Sequence, residues 1–237
     1  MNIFSLIKED FRTVRTRDPA FSSNIELFFN YPGLFAIVNH RVAHKLYNLG
    51  FKVFARIIMG FVQFVANIDI HPAAIIGRRV FIDHGVGVVI GETAILKDDI
   101  TIYQGATLGG VSLEKVKRHP TIENGVVIGA GAKILGNITI GANAKIGANS
   151  VVIKDIPPDA TAIGIPAKII QKGRERESSA QNKLPDIEAQ MFNYLLKKIE
   201  LLECRIKRDC KDLDKLEAEQ EKLDKFYESF IKTIKDA

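Results

Sequence analysis

The side chains of this 237-residue chain that are best able to carry chemistry are five histidines, all in its first half. They are His40, His44, His71, His84 and His119. His84 follows Asp83 directly and precedes Gly85-Val86-Gly87, where a regular structural repeat gains nothing from an imidazole. His119 lies beside Arg118. Because imidazole titrates near neutral pH, either of these two histidines could take a proton from a hydroxyl or a water.

The pair His40 and His44 is spaced for one face of a helix and could bind a metal. No carboxylate lies close to the pair in the sequence, so capping or packing roles are favoured over a metal site. We therefore predict no metal.

Compartment and membrane association are indicated by cysteine usage and hydrophobic run length. Cys204 and Cys210 are too few for a disulfide framework and lie in a charged segment, which is typical of a reducing, cytoplasmic location. The N-terminus has acidic residues where a signal peptide needs an apolar run. The apolar stretch 51–66 carries Lys52 and Arg56 and is too short to span a bilayer, so it predicts a buried helix and no membrane association.

The elements that must position these histidines follow a period of six. Aliphatic residues recur at six-residue steps, with an earlier pair, Ile76 and Ile82, two residues out of phase. The in-phase positions are Ile90, Leu96, Ile102, Leu108, Ile128, Ile134, Ile140, Ile146 and Val152. Neither a helix nor a flat strand has this period, whereas a solenoid whose hexads each form one face and one corner does. Glycines that follow the aliphatic positions, such as Gly77 and Gly91, suit a close approach or a positive φ at the corners.

The chain divides into four parts. Residues 1–68 have helix-spaced apolar faces and predict an N-terminal helical region. The solenoid spans 69–170, and its segment VSLEKVKRHP is too polar for the stack and must loop out. Residues 171–186 are a polar linker. Residues 187–237 predict a coiled-coil helix, so the fold class is α+β.

The C-terminal prediction rests on a heptad pattern with eleven apolar residues at thirteen seam positions. The seam residues are Phe192, Leu195, Ile199, Leu202, Ile206, Asp209, Leu213, Leu216, Gln220, Leu223, Tyr227, Phe230 and Ile234. A single helix here would be roughly 60 Å long and would bury its seam most simply against another copy. Folding back as a hairpin is the alternative, although neither Gly nor Pro marks a turn after Asn193.

The net positive charge of the chain lies in its first three quarters. Residues 1–173 carry 19 basic and 13 acidic side chains, whereas the remainder is nearly balanced. A basic body suits an anionic ligand. The lysines are scattered rather than arranged in a stripe with aromatics, so nucleic acid is not expected as a partner.

Ten motifs in order give the chain a family resemblance over roughly residues 10–173. They are RDPA, YPG, HRVAH, DIHPAA, IDHGVGVVIGETA, YQGATLGG, RHPT, IGAGAKILGNI, IGANSVV and GIPA. Together they resemble the bacterial serine acetyltransferases, members of the hexapeptide-repeat acyltransferase superfamily. The resemblance implies a left-handed parallel β-helix after a helical domain, assembled as trimers with active sites between neighbouring β-helices. It also implies acetyl transfer from acetyl-CoA to L-serine, the first step of cysteine biosynthesis, with inhibition by L-cysteine.

The family's roles carry over by motif. His84 takes the place of the general base, and Asp69 that of the carboxylate that orients it. Asp18 and Asp83 suit the substrate ammonium, and Arg118, with His119 beside it, suits the carboxylate. Candidates for contacts to acetyl-CoA lie along the solenoid. They are Gly110, Ala130, Ala148, Lys145 and Lys168.

Two departures from the family affect the expected partners. The helical region is short compared with relatives that pair trimers into hexamers, so a homotrimer is expected and a higher assembly stays open. The chain ends in Lys235-Asp236-Ala237 rather than in the isoleucine that family members insert into O-acetylserine sulfhydrylase, so that partner is not expected. The segment from Val111 to Lys117 also lacks the glycines that are usual in this loop.

Three other functions compete with this one. A sugar acceptor would fit the same fold but would not need Asp18, Asp83 and Arg118 together. A trimeric β-helix carbonic anhydrase would bind zinc through three histidines, two of which His84 and His119 could imitate, but Asn124 stands near the third position. A purely structural trimer would not need a base and its orienting carboxylate.

Overall fold

The described part of the chain in this computed structural model comprises residues 2–170 together with 194–196, 198, 199, 202, 221 and 224. The chain forms two compact units, Met1–Arg176 and Glu177–Ala237. The predicted linker, residues 171–186, lies outside the described residues, as does most of the predicted coiled coil.

The first unit begins with four helices and continues into a β-helix. The helices are α1 (Ile3–Arg17), α2 (Glu26–Phe29), α3 (Pro32–Asn48) and α4 (Lys52–Ala66). The strands are β1 (Asp69–Ile70), β2 (Ile75–Ile76), β3 (Phe81–Asp83), β4 (Val89–Ile90), β5 (Ile95–Leu96), β6 (Thr101–Tyr103), β7 (Thr107–Gly109), β8 (Thr121–Ile122), β9 (Val127–Ile128), β10 (Lys133–Leu135), β11 (Thr139–Ile140), β12 (Lys145–Ile146), β13 (Val151–Val152), β14 (Thr161–Gly164) and β15 (Ala167–Ile170).

Three parallel sheets form the faces of the prism that the period of six predicts. Face A is β1-β4-β7-β10-β13, face B is β2-β5-β8-β11, and face C is β3-β6-β9-β12-β14, extended by the antiparallel β15. One residue per strand points inward and stacks in register on the next coil, as Ile82, Ile102 and Ile128 do on face C. These columns are almost fully buried and form the main core. The parallel β-helix predicted from the sequence is confirmed.

The phase shift of Ile76 and Ile82 has a simple structural cause. The corner between faces C and A spans five residues, 84–88, in the first coil but only three, 104–106, in the second. The two additional residues displace the later hexads, and they lie in the turn that contains His84. The solenoid is therefore widened at the position of the proposed base.

Glycines at the corners fulfil two separate requirements. A Cβ at Gly77 would lie 2.5 Å from the Lys97 carbonyl oxygen, so this glycine permits close stacking of coils. Gly85 and Gly87 instead have φ values of +77° and +75° and shape the turn after His84. Gly77 is thus required because neighbouring coils approach closely, whereas Gly85 and Gly87 are required because their backbone has a positive φ.

Ion pairs and a small apolar cluster hold the helices against the solenoid. The buried Arg41 guanidinium donates to both carboxylate oxygens of Asp10 and to the carbonyls of Ile76 and Gly77. Arg17, at the end of α1, donates to Asp99 at 3.0 Å. The cluster consists of Val14, Leu27, Leu34 and Phe81. These contacts fix the segment that follows α1, which contains Asp18, against β3.

Helix α4 leaves large apolar side chains uncovered within one chain. Small residues such as Ala55 and Ala66 face the core, whereas the outer face is at least 62% exposed at each of five bulky positions. Those positions are Val53, Phe54, Ile57, Phe61 and Phe64. A face of this size is typical of a protein interface. Among the described residues, no helix has both the length and the apolar character needed to cross a bilayer.

The histidine pair of α3 packs rather than converging on a common ligand point. The rings of His40 and His44 stack at 5.5 Å, and His44 Nδ1 lies 2.8 Å from the Pro72 carbonyl oxygen. His40 is 1% exposed, and neither ring nitrogen has a hydrogen-bond partner in the described chain. Burial, followed by the charges of His44 and Arg41, lowers the pKa of His40 to about 3, and the backbone groups of Ala74 and His71 act in the opposite direction.

We expect the free energy of unfolding to decrease as the pH falls from about 6.5 towards 3. In this window the unfolded chain protonates residue 40 and the folded chain does not, which favours unfolding by about 1.4 kcal/mol per pH unit. His40→Gln should remove this part of the pH dependence in urea titrations. Asn48→Ala, which alters the same cluster without a titrating group, should keep it, and an unchanged slope in His40→Gln would contradict the assignment.

In the C-terminal unit the described residues are helical, and they include a contact that a single helix cannot make. The Tyr194 hydroxyl donates to Asp224 Oδ1 at 2.6 Å, and Lys198 approaches both groups. Thirty residues of continuous α-helix would separate Tyr194 and Asp224 by about 45 Å. Tyr194 and Asp224 are therefore neighbours, while the residues between 202 and 221, which decide between one long helix and a hairpin, lie outside the described part of the chain.

Candidate active site

His84 occupies an exposed turn at the corner between faces C and A. Its φ is +57°, a conformation uncommon for residues with a Cβ, and its side chain is 74% exposed. The turn directs the imidazole outward, away from the aliphatic core. Asp83 is its polar neighbour among the described residues, with 4.0 Å between His84 Nε2 and Asp83 Oδ1. The imidazole is therefore open to a substrate from the solvent side.

The phenol of Tyr31 contacts Asp18 directly and lies within the electrostatic reach of Asp83, which precedes His84. The Tyr31 hydroxyl donates to Asp18 Oδ2 at 2.6 Å, while Asp18 Oδ1 accepts the Ala20 backbone N–H at 2.7 Å. Burial, the hydrogen bond to Asp18 and the charges of Asp18, Glu26 and, least of all, Asp83 raise the pKa of Tyr31 to about 12. Both carboxylates thus lie near one phenol. We call this group, with His84 and Tyr103, the acidic half-site.

Tyr103 completes the acidic half-site from the adjacent strand. It is the register partner of Asp83 in the parallel pair β3–β6. Burial raises the pKa of its phenol, and the charge of Asp83 adds to the shift. Two phenols therefore flank a pair of carboxylates that an ammonium group could neutralise.

Arg118 and His119 lie at another corner, between faces A and B, where the 110–120 segment rejoins the solenoid. The Arg118 guanidinium donates to Glu92 Oε2 at 2.9 Å and to the Glu114 carbonyl at 3.0 Å. The backbone N–H groups of Arg118 and His119 both donate to Thr93 Oγ1. We call Glu92, Thr93, Arg118 and His119 the cationic half-site, after the guanidinium group of Arg118.

The hydrogen bonds of His119 fix its tautomer. The Thr93 backbone N–H donates to His119 Nδ1 at 3.2 Å, so this nitrogen must be an acceptor. Burial, followed by the charges of Arg118 and Lys117, lowers the pKa of His119. His119 is consequently a neutral imidazole with its proton on Nε2, available as a hydrogen-bond donor.

Asp69 lies on the outer side of β1, on face A, and its register partner Val89 directly follows the turn that contains His84. The described chain has no hydrogen bond between Asp69 and His84. Burial, followed by the charge of Arg56, lowers the pKa of His71, and the charges of Glu92 and Asp69 oppose this shift. The structure thus places Asp18, Asp83 and His84 at one corner and Arg118 and His119 at another, with Asp69 on the face between them, and it does not join the two corners within one chain.

The candidate acetyl-CoA residues are divided in the same way. Ala130 and Ala148 stack on successive coils of the corner that contains His84, and the Asn149 backbone N–H donates to the Ala130 carbonyl at 2.8 Å. Gly110 lies at the Arg118 corner, where an added Cβ would approach Arg118 Cγ to 3.1 Å. Lys145 and Lys168 lie on β12 and β15 of face C. A groove that uses all of them needs two corners facing each other.

Two cavities of the described chain lie away from the candidate residues. One of about 480 Å³ is lined by residues such as Tyr47, Arg56 and His71, and one of about 460 Å³ by residues such as His40 and Lys45. Neither is lined by a residue of the acidic half-site or by Arg118 or His119. This is expected if the substrate groove forms only between chains.

Sequence reasoning assigned no role to four residues of these half-sites. These residues lie within motifs that contribute to the family resemblance, but the sequence alone gave them no chemical role. They are Tyr31 in YPG, Glu92 and Thr93 in GETA, and Tyr103 in YQG. Their contacts depend on which coils stack on each other, and the motifs alone do not give that information.

Gly91→Ala should reduce activity by displacing His119. A Cβ at Gly91 would lie 2.0 Å from His119 Nε2, and the backbone here needs no positive φ, so the imidazole must move. We expect kcat/KM for the amino-acid substrate to fall at least about tenfold, since misplacing a substrate-contacting group by an ångström is costly. Gly60→Ala, which meets no atom within 4 Å, is the matched control. Unaltered kinetics in Gly91→Ala would contradict this placement of His119.

Comparison with known proteins gives a matching sequence family and several relatives that the chain covers over most of their length. The family described as bacterial transferase hexapeptide (six repeats) matches residues 119–154. Serine acetyltransferase from Synechocystis sp. is 51% identical over 198 residues, covering 83% of this chain and 80% of the relative. Serine acetyltransferase from Synechococcus elongatus is 47% identical over 202 residues, covering 85% and 83%.

Solved structures of similar proteins agree with these relatives. A Neisseria gonorrhoeae serine acetyltransferase structure has 44% identity and a TM-score of 0.70, covering 73% of this chain and 67% of the other. A serine acetyltransferase in complex with cysteine gives the same values. A serine acetyltransferase in complex with CoA has 44% identity and a TM-score of 0.66, covering 71% and 69%.

Proposed function

The chain belongs to the serine acetyltransferase family, and from this membership we infer the reaction that its half-sites perform. It is a serine O-acetyltransferase: it transfers the acetyl group of acetyl-CoA to the L-serine hydroxyl and produces O-acetyl-L-serine and CoA. This is the first step of cysteine biosynthesis. We also propose a cytoplasmic location, which the two cysteines in a charged segment support.

The observation that carries this function is the separation of charges between the two half-sites. Asp18 and Asp83 present two carboxylates around one phenol, which suits an ammonium group. Arg118 presents a guanidinium held by Glu92, which suits a carboxylate. An exposed imidazole, His84, lies beside the carboxylates. An amino acid with a nucleophilic side chain matches all three features.

The reaction needs one proton acceptor and one acyl donor. In the proposed mechanism, His84 accepts the proton of the serine hydroxyl as its oxygen attacks the thioester carbonyl carbon of acetyl-CoA. The tetrahedral intermediate then collapses, the carbon–sulfur bond breaks, and the CoA sulfur takes the proton back from His84. Asp69 orients the imidazole and stabilises its protonated form. Acetyl transfer is direct, without an acetyl-enzyme.

We propose that each active site is shared between two chains of a homotrimer. The two half-sites lie at different corners of one prism, and a cyclic assembly repeats the contact between unlike corners three times. Arg118 and His119 then come from the neighbour of the chain that supplies Asp18, Asp83 and His84. The exposed apolar side chains of α4 support such an assembly.

The alternatives account for fewer of these features. A sugar acceptor lacks the ammonium group for which Asp18 and Asp83 are arranged. A carbonic anhydrase would need a third histidine near position 124, where the Asn124 side chain instead accepts the Asp98 backbone N–H at 2.9 Å. Asn124 is therefore part of the solenoid's own hydrogen bonding.

The direct assay is release of the CoA thiol from acetyl-CoA in the presence of L-serine, with the product identified by mass spectrometry. We expect turnover with L-serine and none above background with D-serine or with simple sugars. Turnover with a sugar and not with L-serine would overturn the proposed function.

Deleting the residues after Gly173 should leave an active enzyme. No residue of the C-terminal segment matches a catalytic motif, and the half-sites lie between residues 18 and 119. We expect kcat within about twofold of the full chain, with a lower melting temperature or a smaller assembly by light scattering. An inactive monomer would show that the C-terminal segment, and not the β-helix, assembles the active site.

A further inference from the structure

Tyr31 occupies a fixed position next to the acidic half-site. It immediately precedes α3, whose first residue is Pro32, and its ring packs against the buried cluster of Val14, Leu27, Leu34 and Phe81. Pro32 has a restricted φ and suits the first position of a helix, so the start of α3 is well defined. The phenol is thus held by the core at one end and directed at Asp18 at the other.

The Asp18 carboxylate receives one hydrogen bond on each oxygen. Tyr31 donates to Oδ2 at 2.6 Å and the Ala20 backbone N–H to Oδ1 at 2.7 Å. Each oxygen retains a lone pair for a further donor. Asp18 follows α1, where Arg17 is anchored to Asp99 and Thr101. The carboxylate plane is therefore defined before any ligand binds.

We propose that Tyr31 is a positioning residue for amino-acid binding, whose hydroxyl holds the Asp18 carboxylate in the orientation that receives the substrate ammonium. This inference rests on the proposed function and deepens it. It assigns to the tyrosine of the YPG motif a role in recognising the amino end of serine and, by the same contact, of L-cysteine.

The charge state of Tyr31 agrees with a role as donor. A pKa of about 12 keeps the phenol protonated at any pH at which the enzyme works. A protonated phenol donates to a carboxylate, whereas a phenolate would repel it. The effect of losing the hydroxyl should therefore be the same from pH 6 to pH 9.

The kinetic consequence is a change in binding rather than in chemistry. The substrate ammonium is remote from the reacting hydroxyl and keeps its charge through the reaction. A contact to it acts equally on the ground state and the transition state, and its loss raises KM without lowering kcat. A merely structural role of Tyr31 would instead lower the amount of folded enzyme or alter both constants.

The test is Tyr31→Phe, which removes the hydroxyl and keeps the packed ring. We expect the KM for L-serine and the inhibition constant of L-cysteine each to rise about tenfold, with kcat and the KM for acetyl-CoA within about twofold. Tyr47→Phe is the matched control, since the Tyr47 hydroxyl has no hydrogen bond in the described part of the chain. Its constants should be those of the wild type.

A double-mutant cycle separates this role from indirect effects. In an Asp18→Asn background, Tyr31→Phe should have little further effect on serine binding, because the carboxylate that it positions is gone. Calorimetric binding of L-cysteine to each variant gives the same information without turnover. Equal affinity in wild type and Tyr31→Phe, or an undiminished effect of Tyr31→Phe in the Asp18→Asn background, would overturn the inference. If the wild-type enzyme neither binds nor acetylates L-serine, the proposed function itself fails, and the inference fails with it.

Discussion

His84→Ala folds normally and loses at least about a hundredfold in kcat for acetyl transfer to serine, which is the scale expected for a positioned general base. The fold should persist because the imidazole is 74% exposed and makes no core contact. The loss should be large because the serine hydroxyl is a weak nucleophile unless its proton is removed during attack. Acetyl-CoA binding should be unaffected, so the loss should appear in kcat and in kcat/KM equally.

A second substitution at the same position controls for the backbone. His84→Asn suits the positive φ of 57° at least as well as alanine, and it supplies no comparable proton acceptor. It should therefore be as inactive as His84→Ala. Asp69→Asn should reduce kcat by a smaller factor, since the role of Asp69 is to orient the base. Turnover within a few-fold of wild type in His84→Ala would remove His84 from the mechanism.

Arg118→Ala should reduce kcat/KM for L-serine by about a hundredfold, because its planar fork is the group suited to the substrate carboxylate. L-cysteine has the same ammonium and carboxylate, so its inhibition should weaken in parallel. Inhibition should be competitive with serine in the wild type. The measurement is steady-state kinetics with serine varied at several fixed cysteine concentrations.

Arg118→Lys distinguishes geometry from charge. Lysine keeps the positive charge but cannot donate two parallel hydrogen bonds, so it should recover only part of the loss. Glu92 should become more important in this variant, since it is the group that holds the cation at this corner. If Arg118→Ala bound serine and cysteine as tightly as wild type, the carboxylate would have to be recognised elsewhere.

The sequence predicted the solenoid well because its signal is repeated. Each inward position, from Ile82 through Ile102 to Ile128, carries the same requirement for an aliphatic residue, and the columns follow directly. The sequence also showed that Ile76 and Ile82 are out of phase with the later six-residue repeats. The cause, a widened corner at His84, was visible only in the structure.

Contacts between distant segments could not be predicted from the sequence. The hydrogen bond from Tyr31 to Asp18 and the pairing of Arg118 with Glu92 depend on the packing of α3 and on which coils are neighbours. The C-terminal heptads indicated a helix but did not distinguish one long helix from a fold-back, since a hydrophobic seam can be buried either way. Most of the residues that distinguish these two arrangements lie outside the described part of the chain.

The central claim is that two chains contribute to each site, and mixing two inactive variants tests it most directly. His84→Ala keeps the cationic half-site, and Arg118→Ala keeps the acidic half-site. If the two are unfolded, mixed in equal amounts and refolded together, about one quarter of the interfaces should join two intact half-sites in a cyclic trimer. We predict about one quarter of wild-type turnover with L-serine. Activity no higher than the average of the two separate variants, from verified mixed trimers, would contradict a shared site.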